Sequence, residues 1–257
     1  MPTPSQTGRE HARNGKLCAR GALWWVSGLV GLAAASYAAY AGSAWYRYGK
    51  AKPADGEAAD ATLDKFMPAY EVAERHYARV AAPAELALSA ACDLDLLRSP
   101  IIRSLFRGRE AILGSEPERT APPRGLLAMV KSLGWIVLDE VPGREIVVGA
   151  VTQPWCGDVK FHSPAPEDFA GFHEPGYVKI VWTLRADPTG PAESIVRTET
   201  RAAATDPTAR ARFRRYWSFF SPGIVLIRKV GLGLVKREAE RRAQAGSGRV
   251  RALRPIP

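Results

Sequence analysis

The stretch Thr198–Gly223, TETRAAATDPTARARFRRYWSFFSPG, decides how this chain is read. Its first part alternates. Val196, Thr198, Thr200 and Ala202 share one strand face, and Arg197, Glu199 and Arg201 share the other, because successive strand side chains point to opposite sides. The small, weakly polar face suits a pocket wall and the charged face suits solvent. Asp206-Pro207 then supplies an N-cap followed by a first-turn proline. Phe213, Tyr216, Trp217 and Phe220 recur at helical spacing and form an apolar stripe. Ser221-Pro222-Gly223 is expected to break or kink that helix, since proline removes an intrahelical hydrogen bond and clashes with the preceding turn. A second helical segment runs from Ile224 to about Arg242.

Working outward, Tyr177–Ala186 and Glu193–Ala203 form a hairpin across Asp187-Pro188-Thr189-Gly190, with Val178, Ile180, Trp182 and Leu184 on one face. Trp135–Glu140 and Glu145–Thr152 form another across Val141-Pro142-Gly143-Arg144. Upstream, Tyr70–Val80 reads as a strand, with Val72, Ala78 and Val80 opposite Arg75, Tyr77 and Arg79. Ala84–Leu97 reads as a helix behind Pro83. Ser99–Leu113 reads as a second, with Ser99 as N-cap and Pro100 at the first position. Leu126–Leu133 is a short helix ended by Gly134, and Phe161–Gly176 is a proline-rich loop.

The amino terminus has a different character. Residues 1–20 form a basic tail, and Gly21 to Tyr46 is free of charge. A helix of about 20 residues crosses a bilayer core. Trp24 and Trp25 stand near one end of this segment and Tyr40, Trp45 and Tyr46 near the other, the positions aromatic side chains favour at membrane interfaces. A cleaved signal peptide is the competing reading, but its apolar core is normally only about 7–15 residues. Residues 21–46 are therefore expected to be a transmembrane helix and residues 47–65 a flexible linker of small and polar residues. The four basic residues before the span lean towards an inside amino terminus. The basic carboxyl end and the lack of a disulfide pattern lean the other way, so the side of the membrane is left open.

The net charge of +10 sits at one end. Thirteen Lys and Arg against two Glu fall between Pro207 and Pro257, leaving the rest near neutral. Such a patch suits an anionic surface. Arg228, Lys229, Lys236 and Arg237 are assigned to a membrane surface. No nucleic-acid recognition motif accompanies the charge. Three cysteines and four histidines are scattered, with no metal-ligand spacing. No phosphate-binding glycine loop or nucleophile elbow occurs. No metal, no cofactor and no catalytic set is assigned.

The order of strand, two helices, antiparallel strands and long final helix resembles the helix-grip fold of the START-like (SRPBCC) superfamily. The opening strand running into RVAAPAELALSA, and the quoted close, look like an actinobacterial-type branch of it. The resemblance covers residues 66–243, with residues 244–257 a basic, disordered tail. It implies an α+β fold in which a curved antiparallel sheet wraps a long C-terminal helix and leaves a cavity for an apolar ligand. The transmembrane segment and the interruption at Pro222-Gly223 depart from that pattern.

The cavity is expected to be lined by His76, Trp182, Val196, Thr198, Thr200, Phe213, Tyr216, Trp217 and Phe220, with Glu174 and Tyr177 at its mouth. Ordinary core packing competes with that reading for the aromatic stripe. His76 and Glu74, two apart and so on one strand face, could tune a proton-transfer group. The expected function is a membrane-tethered domain that holds a lipid or other small hydrophobic molecule, non-enzymatically. The alternatives are a cyclase- or hydrolase-type enzyme using His76 and Glu74, and a protein-interaction module acting through the basic helix Arg210–Arg242. Oligomeric state is not legible.

Overall fold

Six antiparallel strands form one sheet: β1 (Val72–Val80), β2 (Ile136–Val141), β3 (Glu145–Thr152), β4 (Phe161–His162), β5 (Val178–Gly190) and β6 (Glu193–Ala204). Their order is β1-β6-β5-β3-β2, with the short β4 paired to the end of β3. The helices are α1 (Thr7–Arg47), α2 (Ala61–Phe66), α3 (Ala84–Cys92), α4 (Pro100–Leu113), α5 (Leu126–Ser132), α6 (Pro166–Phe169) and α7 (Pro207–Ala252). The computed structural model describes residues 7–115 and 123–252, and side chains between 27 and 246 apart from position 58. The molecule is an α+β, helix-grip arrangement: a curved antiparallel sheet against a long C-terminal helix.

Local rules account for most elements. The Ser99 hydroxyl accepts from the Ile102 N–H at 3.4 Å, and Pro100 opens α4. Gly114 ends that helix at φ 69°, a left-handed conformation that glycine adopts without penalty. α3 stops at Cys92 and not at Leu97. The Asp95 carboxylate captures the Leu97 N–H at 3.1 Å and starts a separate 3₁₀ turn. The β5–β6 pairing runs further than the turn residues suggest, with Pro188 opposite Ser194. Arg185 and Arg197 both grip the Asp187 carboxylate, at 2.8 and 2.9 Å, and hold the strand ends together.

Three expectations change. First, α7 is continuous, with Pro222 inside it and no break at Gly223. Packing of both halves against the sheet outweighs a proline cost of about 3 kcal/mol. It also extends helically to Ala252, and residues 253–257 lie outside those described. Second, residues 47–65 do not form a loose linker. The Asp60 carboxylate accepts from the Leu63 N–H at 2.8 Å and caps α2. Leu63 and Met67 pack, fully buried, on Val147, Val151, Val181 and Phe169. Third, the charged face of β6 is not solvated, because this segment covers it. Arg201 is 1% exposed, bonded to Glu199 at 2.7 Å and to the Met67 carbonyl at 2.9 Å. Arg75 reaches the same Glu199 at 2.9 Å.

α1 is helical from Thr7, so the described part of the basic tail continues the hydrophobic helix; residues 1–6 lie outside the described set. Leu29, Val30 and Leu32 are 65%, 63% and 66% exposed. Only its last turns touch the domain. The Tyr37 hydroxyl donates to the Phe219 carbonyl, and Arg214 donates to the Trp45 carbonyl at 2.9 Å while covering the Trp45 ring at 4.1 Å. Among the described residues α7 is the one helix long and apolar enough to qualify as a span, with a mean hydropathy of 1.4 in its window, yet one of its faces forms the core.

Two outcomes are expected. Glu145 is buried beside Asp60, and its Oε1 accepts from Thr183 at 3.0 Å. Burial first, and then the Asp60 carboxyl, push its pKa up to about 7. The native state therefore keeps a proton that the unfolded chain releases above its ordinary 4.5, and stability falls as pH rises from 4.5 to about 7. Glu145→Gln should flatten that slope and raise Tm above neutral pH in thermal melts across the window; an unchanged slope would place the titration elsewhere. A Cβ at Gly149 would stand 2.5 Å from Leu138 Cδ1 and 2.8 Å from Phe169 Cε2. Gly149→Ala should cost roughly 1–3 kcal/mol in urea unfolding.

Candidate functional site

α7 rests on the sheet at two places. Near its start, Phe213 and Trp217 pack with Val72, Val178 and Ala202. Further along, Leu232, Val235 and Ala239 pack with Val148, Leu184, Val196 and the inner face of α3. Between these contacts lies a cavity of about 1070 Å³. That is at the upper end of ligand pockets, which run to about 1,000 Å³.

Each wall follows from the elements described. β5 contributes Ile180, Trp182 and Leu184, and β6 contributes Thr198, Thr200 and Ala202. α7 supplies Phe213, Tyr216, Trp217, Phe220, Ile224, Ile227, Arg228 and Gly231. The far side is α4 and α5, through Leu105, Phe106, Ile112, Met129 and Leu133, with Trp135 and Phe161 beside them. Trp135 meets Trp182 edge-on at 6.4 Å and Phe161 at 5.3 Å. Arg109 ties the walls together: it donates to the carbonyls of Pro154 and Cys156, at 3.1 and 3.3 Å, and to the Tyr216 hydroxyl at 3.3 Å. Tyr37 of α1 also borders the cavity, beside the exposed rings and chains of Phe219, Ile112 and Leu133.

Of the residues expected to line the cavity, Trp182, Thr198, Thr200, Phe213, Tyr216, Trp217 and Phe220 do border it. Two do not. Val196 is fully buried in the second contact cluster, below the cavity floor. His76 borders a separate groove of about 400 Å³ between β1 and α7, with Lys229, Leu232 and Gly233. The expected mouth residues also lie elsewhere. Glu174 is an exposed loop residue, and Tyr177 points to the outer face, where its ring meets Phe172 and His162. Tyr177 lies just before β5, while Val178, the first residue of the strand, packs on the α7 side.

His76 and Glu74 both project to the α7 side of β1, opposite Thr198 and Thr200. His76 Nε2 stands 3.6 Å from Glu74 Oε2 and has no hydrogen-bond partner. Burial lowers the His76 pKa, aided by Arg228 and Lys229, so the ring is neutral at neutral pH. Burial raises that of Glu74. The pair shares no pocket, because Glu74 borders neither hollow. Burial pushes the Cys92 thiol up to about 11, which leaves it a poor nucleophile at neutral pH.

The basic surface is not a uniform face. Arg228 turns inward to the cavity. Lys236 donates to the Arg79 carbonyl at 2.9 Å, Arg210 pairs with Glu71 at 3.3 Å, and Arg241 and Arg242 share Glu238. Lys229 and Arg237 are exposed. A signal for Arg228 was present in the sequence: Ile224, Arg228, Gly231 and Val235 recur at helical spacing on the cavity side.

Thr200 Oγ1 is buried against the cavity with no partner. Replacing a buried, unsatisfied hydroxyl by an apolar group of the same shape is close to neutral or stabilising. Thr200→Val should leave Tm unchanged or higher in the ligand-free protein; a loss above about 1 kcal/mol in chemical denaturation would mean the hydroxyl has a structural partner.

No protein-family model and no curated protein sequence matches the chain. Solved structures of similar layout exist. One is a point mutant of norcoclaurine synthase from Thalictrum flavum in complex with a transition-state analogue, at 11% identity and a TM-score of 0.32, covering 66% of this chain and 95% of that one. Another is a solution structure from Thermobifida fusca, at 16% identity and 0.32, covering 66% and 93%. A third is the Zhui aromatase/cyclase from Streptomyces sp. R1128, at 14% identity and 0.23, covering 66% and 94%. At these scores no residue role is carried across.

Proposed function

We propose that this chain is a membrane-anchored module that holds a lipid or other small hydrophobic molecule in the cavity between α7 and the sheet, without transforming it. The carrying observation is the cavity: about 1070 Å³, walled mainly by aromatic and aliphatic side chains. Burying apolar ligand surface there would supply about 25 cal/mol per Å². Polar side chains, among them Ser104, Arg109, Glu110 and Asp158, border the cavity as a minority of its lining.

The anchor reading rests on α1. Its residues 27–40 are exposed, uncharged and mostly apolar, and water is a poor environment for such a helix. Tyr37, which borders the cavity, belongs to this same helix. The opening therefore stands beside the anchor, where a ligand could pass from bilayer to cavity with little exposure to water.

Native mass spectrometry of the detergent-solubilised full chain should show a co-purifying small hydrophobic molecule. Ile227→Trp, which fills the cavity from the α7 side outside the two packed clusters, should lose it while the protein stays folded by circular dichroism. Wild-type protein that is empty in every preparation, and takes up no added lipid, would overturn the reading. The chain should also resist alkaline extraction from membranes.

A further inference from the structure

One polar seat interrupts the apolar lining, at the seam of α7 and β6. Arg228 reaches into the cavity, where its Nη1 donates to Thr198 Oγ1 at a long 3.3 Å and its guanidinium stands 5.3 Å from the Trp182 ring centre. Its side chain is half-buried, and the cavity is part of the space it faces. Among the described residues no carboxylate lies within ion-pair distance. Glu74 attracts it from further away and instead sits 3.6 Å from His76. A guanidinium carries five N–H donors, and only one is engaged here. Two residues along β6 on the same face, Thr200 Oγ1 is buried, borders the cavity and has no partner.

Such an arrangement is costly in an empty protein. A buried charge needs a counter-charge and hydrogen bonds to offset its lost hydration. Desolvation is strong enough to pull the Arg228 pKa down to about 10, so the side chain still carries its charge at neutral pH. The other cavity arginine is different, for Arg109 has its donors on two carbonyls and a hydroxyl. The unmet donors at this seat face a chamber whose lining is mainly apolar, with Glu110 and Asp158 also on its border.

We infer that the seat formed by Arg228, Thr198 and Thr200 receives the carboxylate of an amphipathic acid whose apolar body fills the rest of the cavity. The planar fork of arginine matches a carboxylate with two parallel hydrogen bonds, and the Thr200 hydroxyl adds a third donor. One arginine balances one negative charge, which favours a carboxylate over the larger charge of a phosphate monoester. The assignment rests on the hydrophobic-ligand reading above and specifies its polar end.

The test is competition in native mass spectrometry, with the full chain in detergent and equimolar oleic acid, oleyl alcohol and oleyl phosphate. The acid should bind at least about tenfold tighter than the alcohol, the range of a charge-assisted hydrogen bond. Arg228→Gln should abolish that preference while alcohol binding persists. Arg228→Lys, which keeps the charge and loses the fork, should retain part of it. The wild-type comparison stands whether or not a variant folds. Equal binding of acid and alcohol would overturn the carboxylate seat and leave the hydrophobic cavity standing. A preference for the phosphate would overturn the choice of anion. Binding of none of the three would overturn seat and cavity together.

Discussion

The structure depends on how α7 is held. The helix is clamped at two places, by Phe213 and Trp217 at one end and by Leu232, Val235 and Ala239 further along. Each large apolar side chain buried there contributes about 1.5–3 kcal/mol. Together they outweigh the proline in the helix interior. The turns between the clamps stand off the sheet, and α4 and α5 close the far side. A continuous but unsupported middle segment is what leaves room for a ligand of substantial size.

The second constraint is that the sheet is covered on both faces. Every residue of β3 is buried, from Glu145 to Thr152. Its outer face meets α2 and α6, and the inner face meets the α7 core. Ionic groups that would otherwise be solvated are taken under this cover. Arg201, Glu199, Arg75 and Asp64 form one network there. Burial without these partners would be strongly unfavourable.

The covering segment also joins α1 to the domain. Tyr48 is buried, and its hydroxyl meets Glu71 at 3.1 Å. The Gly49 N–H donates to the Glu71 carbonyl at 2.9 Å. Gly49 takes φ 75°, and a Cβ there would lie 2.8 Å from Arg210 Nη2, so only glycine fits without displacement. These contacts tie the end of α1 to β1 and to the start of α7.

The sequence by itself determined the elements and their faces. Alternation on β6 separated Thr198 and Thr200 from Arg197, Glu199 and Arg201, and helical spacing aligned Phe213, Tyr216, Trp217 and Phe220. These are local periodicities, fixed by backbone geometry wherever the chain folds. Tertiary structure decided what each face meets. It buried the charged face of β6, because a segment more than a hundred residues away in sequence lies over it. It kept Val196 in the core and Thr198 in the cavity, although both share a strand face, because the large apolar side chains of α7 pack on the sheet at its two clamps. It turned Arg228 inward, where a count of basic residues had placed it on the surface. Charge composition reports how many cations a helix carries. Only packing decides which of them is left facing a cavity without a counter-charge.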